Sequence, residues 1–241
     1  MASTPQSKSA QIRAGLDHPV SGELVVGEGG DRAKISFVLQ TTKVNEGLPI
    51  TVREVVTMGR YANRSLLGRL SDEDRDVVDA AMERMDVNDL ANRHLRELSG
   101  GQRQRVFVAQ GLAQDHDILL LDEPLTGLDL PSAMAIDTVI HEEQAAGNTI
   151  VMSTHDLAEA QVADHVLLLA NRVVASGPPS EVLTAMNLKE AYGPSLLHVD
   201  GDKLFLDDPH HRPSQQRHVH QDRSIHVETD RQDRHGDSLG S

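Results

Sequence analysis

The chain has no cysteine and no tryptophan among its 241 residues, and aromatic residues make up only 2%. Without Cys there are no disulfides and no thiolate zinc centre, which fits a reducing compartment. The core must come from Leu, Val, Ile, Ala and Met. Positive charge is scarce as well: 23 Lys and Arg face 37 Asp and Glu, a formal net charge of −14 with 13 His counted neutral. Nucleic-acid phosphates are gripped by Lys and Arg clusters, so no nucleic-acid partner is expected. No apolar run approaches the roughly 18 residues of a membrane span, and no signal-peptide pattern opens the chain. A membrane role would therefore require docking on a partner. The 38% hydrophobic and 25% charged residues allow one packed domain plus a tail.

Residues 1–21 read as a flexible leader. Glu23-Leu24-Val25-Val26 and Ala33 to Leu39 read as short strands around a Gly-rich turn at Gly27 to Gly30. Thr51-Val52-Arg53-Glu54 is a capping box that opens a helix. Ser71 opens a second, with Val77, Val78, Ala81, Met82 and Met85 at helical spacing. A helical subdomain over about 48–97 is thus expected. An α/β pattern follows. Helices are predicted over Gln102 to Ala113, Pro131 to Ala145 and Leu157 to Val162. Buried strands are predicted at Asp117 to Leu121 and Thr149 to Ser153, and a hairpin joins Val166 to Leu169 with Arg172 to Ala175. Alternating strands and helices predict a parallel sheet within residues 22–206. Residues 207–241 are polar, rich in His and Asp, and aperiodic, the pattern of a disordered tail.

Ligands bind beyond the carboxyl ends of parallel strands, and there an apolar run ends in Asp122-Glu123-Pro124. An Asp in that place can hold magnesium, and the adjacent Glu can polarise a water for in-line phosphoryl transfer. Taken alone, the pair also reads as an ordinary strand-end cap. Ser99, Gly100 and Gly101 start a helix and offer free backbone donors and a partial positive charge to a phosphate. A helix simply capped by Ser99 gives the same three residues. His155 directly follows the strand ending at Ser153, where a His can contact a γ-phosphate, although a His after a strand is more often structural. Gln40 ends the strand before the helical segment, where its amide can reach both magnesium and the lytic water.

Together these residues resemble the nucleotide-binding subunit of ABC transporters, over about Gly22 to Ser180. Leu98-Ser99-Gly100-Gly101-Gln102 is similar to the ABC signature. Ile118 to Asp122 is similar to Walker B, with Glu123 as the catalytic glutamate. Gly127-Leu128-Asp129 resembles the D-loop, His155 the switch histidine and Gln40 the Q-loop. The resemblance implies an α/β, P-loop NTPase-like sheet core with an inserted helical subdomain. It implies ATP and magnesium as cofactors, with Gln40, Ser99, Gly100, Gly101, Gln102, Asp122 and Asp129 binding the nucleotide or its metal, and Glu123 and His155 catalytic. Asp122 and Gln40 would organise the magnesium. It further implies a head-to-tail dimer with a second ABC ATPase subunit, each ATP lying between the P-loop of one and the signature of the other. Transmembrane permease subunits, and indirectly a substrate-binding protein, complete the implied assembly at the cytoplasmic face of the plasma membrane.

The P-loop pattern G-x-x-x-x-G-K-S/T expected upstream of Gly22 is not present, so the sheet core reads as truncated at its N-terminus. Ser7-Lys8-Ser9 fits either a remnant of that loop or a charged leader, with Lys8 and Ser9 at issue. Weak ATP binding by the chain alone is the expectation this gap sets. A second expectation is a catalytically impaired subunit that donates its signature half-site or regulates a partner. Leu48 to Tyr61 resembles the membrane-facing segment of importers of zinc, manganese or iron-siderophores. His210, His211, His218, His220, His226 and His235 stand among Asp residues in the tail, a composition that can bind zinc weakly or remain merely solvated.

Overall fold

Ile118-Leu119-Leu120-Leu121 carries no polar residue, as befits a strand covered on both faces, and among the described residues it forms the middle of a three-stranded parallel sheet. The computed structural model describes residues 33–40, 49–61 and 70–193, and the backbone of 197–200 and 203–206. The expected strand at Glu23 to Val26, the turn at Gly27 to Gly30, Lys8, Ser9 and the tail from residue 207 lie outside the described residues. Residues 1–155 and 156–241 form two compact units.

In the first unit, β1 (Ile35–Val38), β2 (Ile118–Asp122) and β3 (Thr149–Ser153) run parallel in the order β1-β2-β3. Val38 pairs with Leu121, and Asp122 with Ser153, so the carboxyl ends of all three strands lie together. Helices α1 (Val52–Tyr61), α2 (Asp72–Arg84), α3 (Gly100–Leu112) and α4 (Leu130–Ala145) complete the unit. The capping box expected at Thr51 forms, with Thr51 N–H donating to Glu54 Oε2 at 2.8 Å, and Ser71 opens its helix with a second box, its N–H donating to Asp74 Oδ2 at 2.9 Å. Helix α3 starts two residues before the expected Gln102, because Ser99 is its N-cap.

Among the described residues, the helical segment shares one core with the sheet. Val52, Val56, Val78 and Met82 belong to one buried cluster with Val38, Leu119 and Leu121. Close approach requires Gly59, where a Cβ would fall 2.4 Å from the Gln110 carbonyl oxygen of α3. Buried polar groups are tied off: Ser36 Oγ–H donates to the Gly111 carbonyl at 2.9 Å. Arg60, nearly buried, donates to Asp74 Oδ1 at 3.0 Å, the Ala113 carbonyl at 2.8 Å and Asp115 Oδ1 at 2.9 Å, which fixes α1 to α2 and to the end of α3.

In the second unit, α5 (Leu157–Gln161) leads to the hairpin of β4 (Val166–Leu169) and β5 (Val173–Gly177), then to α6 (Pro179–Val182) and α7 (Ala185–Tyr192). Its core is Leu168, Val182, Leu183 and Leu188. The hairpin's second strand starts one residue later than expected: Asn171 takes a left-handed φ of 57°, and Arg172 is left outside the strand to pair with Glu190. A further antiparallel pair, β6 (Leu197–Asp200) and β7 (Lys203–Leu206), has no counterpart in the sequence-based expectation.

Candidate functional site

The carboxyl edge of the sheet gathers four of the expected residues. Gln40, two residues beyond β1, donates from Nε2 to Glu123 Oε2 at 3.0 Å. His155, two residues beyond β3, brings Nδ1 to 3.7 Å from the same oxygen, too long for a hydrogen bond but close enough for electrostatic contact. Glu123 therefore sits between an amide and an imidazole, with its side chain 19% exposed and that of His155 47% exposed. Asp122 ends β2 and is buried.

Glu123 adopts φ 46°, a left-handed conformation for a non-glycine residue. Such a residue costs about 1–3 kcal/mol and persists only where its surroundings over-determine it. Pro124 narrows its choices further. The anchors lie on the neighbouring strand: Glu123 N–H donates to the Ser153 carbonyl at 3.1 Å and to Ser153 Oγ at 3.0 Å. The Ser153 hydroxyl in turn donates to Asp122 Oδ1 at 2.6 Å. Sequence reasoning treated Ser153 only as the end of a strand. Its signal was a hydroxyl closing an apolar strand in register with Asp122.

A second cluster joins the starts of α3 and α4. Ser99 Oγ accepts the Gln102 N–H at 3.2 Å, and Gln102 Oε1 accepts the Ser99 N–H at 3.0 Å. The two side chains thus cap the helix reciprocally. Gly100 faces open space, whereas a Cβ on Gly101 would meet Ser132 Oγ at 2.5 Å and Asp129 Oδ2 at 2.6 Å. Asp129 is the N-cap of α4 and accepts the Ser132 N–H at 2.9 Å. That backbone bond first, and the Ser132 side chain second, hold the exposed Asp129 carboxyl below its ordinary pKa. Ser132, which also escaped sequence reasoning, is the residue on which the Gly101 backbone rests.

Among the described residues no group of three or more His, Asp or Glu is arranged as a metal cage. Magnesium needs no such cage, because it takes one or two protein oxygens and fills its shell with water and phosphate. Asp122 Oδ2 and Gln40 Oε1, the oxygens not engaged by Ser153 or Glu123, fit that requirement.

A parallel sheet with a carboxylate pair at its carboxyl edge, beside a glycine-started helix, is the architecture of an ATP-binding cassette. The family profile described as ABC transporter matches residues 7–126. The chain is 40% identical over 175 residues to the chelated iron transport system membrane protein YfeB of Yersinia pestis, covering 72% of this chain and 59% of that one. It is 39% identical over 177 residues to the manganese transport system ATP-binding protein MntB of Bacillus subtilis, covering 73% and 70%. Among solved structures, a metal-chelate type ABC transporter in an inward-facing conformation aligns with TM-score 0.69 and 26% identity, over 80% of this chain and 75% of that one. A dimeric ATP-binding cassette in a post-hydrolysis state with ADP and Pi aligns with TM-score 0.61 and 26% identity, over 72% and 80%. The chain belongs to the ABC transporter family, with the fold of its ATP-binding cassettes. It spans less than two thirds of the length of YfeB. No described helix is long and apolar enough to cross a membrane.

Proposed function

We propose that the chain is the ATP-hydrolysing subunit of an importer of metal cations, of the kind that carries manganese, zinc or chelated iron. The single observation that carries the hydrolytic reading is Glu123, held between Gln40 and His155 with its carboxylate only part-buried. In this reading Glu123 orients and polarises the water that attacks the γ-phosphorus as the bond to ADP breaks. Gln40 holds Glu123 in place, and His155 stands where it contacts the phosphoryl group being transferred. Asp122 and Gln40 would hold magnesium, which would supply positive charge to offset that of the ATP phosphates. Capping uses only the acceptor oxygens of Ser99 and Gln102, so the Ser99 hydroxyl proton and the Gln102 amide N–H groups join the backbone donors at Gly100 and Gly101 in the signature's contact with an ATP on the opposite subunit.

The importer reading is supported by the relatives named for iron and manganese transport. The permease reading is supported by a groove of about 520 Å³ along α1, lined by Ile50, Arg53, Thr57, Met58 and Tyr61 among others. It falls in the segment whose resemblance implies a membrane partner. The proposed place of action is therefore the cytoplasmic membrane surface, as a dimer docked on permease subunits.

The test is phosphate release by the full chain, beside Glu123→Gln, with ATP and magnesium raised until turnover no longer increases, because the sequence sets an expectation of weak nucleotide binding. Release that falls by about 10³-fold in the variant, with melting unchanged, is the expected result. Equal turnover by the two proteins, or no turnover by the unaltered chain, overturns the hydrolytic reading.

A further inference from the structure

We propose that Ser153 is a positioning residue that aims both carboxylates of the site at once. The proposal rests on the reading of Asp122 and Glu123 as the magnesium-holding and water-polarising pair. Parallel pairing sets Ser153 beside Asp122 in register. From there one hydroxyl performs two tasks. Its proton goes to Asp122 Oδ1 at 2.6 Å, and its oxygen accepts the Glu123 N–H at 3.0 Å.

The first bond holds the orientation of the Asp122 carboxylate and occupies one of its oxygens, which leaves Oδ2 for a cation. The second holds the Glu123 backbone at a φ of 46°, which its own conformational preferences oppose. That backbone turn presents the Glu123 side chain to Gln40 and His155. Without the hydroxyl, the Ser153 carbonyl remains as a partner for the Glu123 N–H at 3.1 Å, so the turn is loosened but not abolished. Asp122 Oδ1, in a carboxylate only 7% exposed, loses its donor. Alanine removes both contacts, and threonine keeps the hydroxyl while suiting a strand end.

The experiment compares the full chain with Ser153→Ala and Ser153→Thr in two measurements. In the first, ATP turnover with magnesium, Ser153→Ala should lower kcat about tenfold with KM for ATP within about twofold, and Ser153→Thr should restore kcat. In the second, amide hydrogen exchange without nucleotide, Glu123 N–H should exchange about fivefold faster in Ser153→Ala and at the original rate in Ser153→Thr. The Leu120 amide of β2 should be unchanged in all three. A substitution that merely weakened the fold would speed both amides. Wild-type kcat in Ser153→Ala, a Thr variant no better than Ala, or equal Glu123 exchange throughout overturns the positioning role. Absence of turnover in the unaltered chain counts against the hydrolytic reading, and the exchange measurement then decides the Ser153 contacts alone.

Discussion

The two edges of the same parallel sheet treat their carboxylates in opposite ways. At the amino edge, Glu143 of α4 is buried and saturated. Arg84 of α2 donates to it at 2.6 Å, Asn148 Nδ2 at 2.6 Å, and His116 Nε2 lies 2.9 Å away. Arg84 also grips Glu142 through two nitrogens, at 3.0 and 2.9 Å. His116 and Asn148 lie just before the first residues of β2 and β3, so the network closes that end of the unit. At the carboxyl edge, Glu123 has one hydrogen bond to a neutral amide, a longer contact to His155 and a strained backbone. Polar groups that hold a fold are satisfied by the fold. Those left with unused acceptors and partial exposure are the ones available to a ligand.

The same chemical change at each edge should separate these roles. Glu123→Gln is expected to remove about 10³-fold of turnover and to shift stability by less than about 0.5 kcal/mol. Glu143→Gln is expected to cost about 3 kcal/mol, because it breaks a buried pair and leaves Arg84 and His116 without their shared carboxylate. For a unit of this size that is a fall of about 8 °C in Tm, with turnover per folded molecule unchanged. Calorimetry and phosphate release on the two variants check both halves. A Glu143 variant that melts normally but fails to hydrolyse ATP would erase the distinction between the edges.

The contrast between the edges was only half legible beforehand. Asp122, Glu123, Gln40 and His155 stand at the ends of strands that composition and spacing mark out, so their convergence follows once the sheet is parallel. β2 was readable because four consecutive apolar residues leave few alternatives, and α2 because Ser71 as its opening residue and its apolar spacing agree. The amino-edge network was not legible. Arg84 and His116 are far in sequence from Glu143 and Asn148, and each alone reads as an ordinary polar surface residue; only packing brings them together. Ser153 was missed for a related reason, since its partner is set by strand register rather than by a motif. β6 and β7 were missed although Leu197-His198-Val199-Asp200 alternates and Gly201-Asp202 is a two-residue hairpin signal, because each run is only four residues long.

Acid should act through the amino edge. Burial alone would raise the Glu143 carboxyl, but the bonds from Arg84, Asn148 and His116 outweigh it and hold the pKa below its ordinary value. The unfolded chain therefore binds a proton at this residue before the folded chain does. The resulting stability is fully present above the ordinary Glu range. It declines from about pH 5 downward and is lost as pH falls through the lowered folded-state value. Denaturation followed between pH 7 and pH 3 should show a shallower acid decline in Glu143→Gln than in the unaltered chain. Parallel acid limbs in the two proteins would place the acid sensitivity elsewhere.

The smallest expected effect divides two adjacent glycines, and it carries the comparison into the α3 start. A methyl on Gly101 would sit 2.5 Å from Ser132 Oγ and 2.6 Å from Asp129 Oδ2, and Asp129 is tied by its cap on α4. The helix starts must part, so Gly101→Ala should destabilise by about 1–3 kcal/mol. A methyl on Gly100 meets nothing within 4 Å, and Ala is a better helix residue, so Gly100→Ala should be neutral or stabilise by up to about 1 kcal/mol. The open face that makes Gly100→Ala harmless to folding is where the proposal seats the partner subunit's phosphates. Turnover should therefore fall in a Gly100→Ala protein whose melting temperature is unchanged or higher. Normal turnover in that variant would show that the signature's phosphate contact does not need the space beside Gly100, and would leave it to the Ser99 hydroxyl and the Gln102 amide, whose donors the cap does not use.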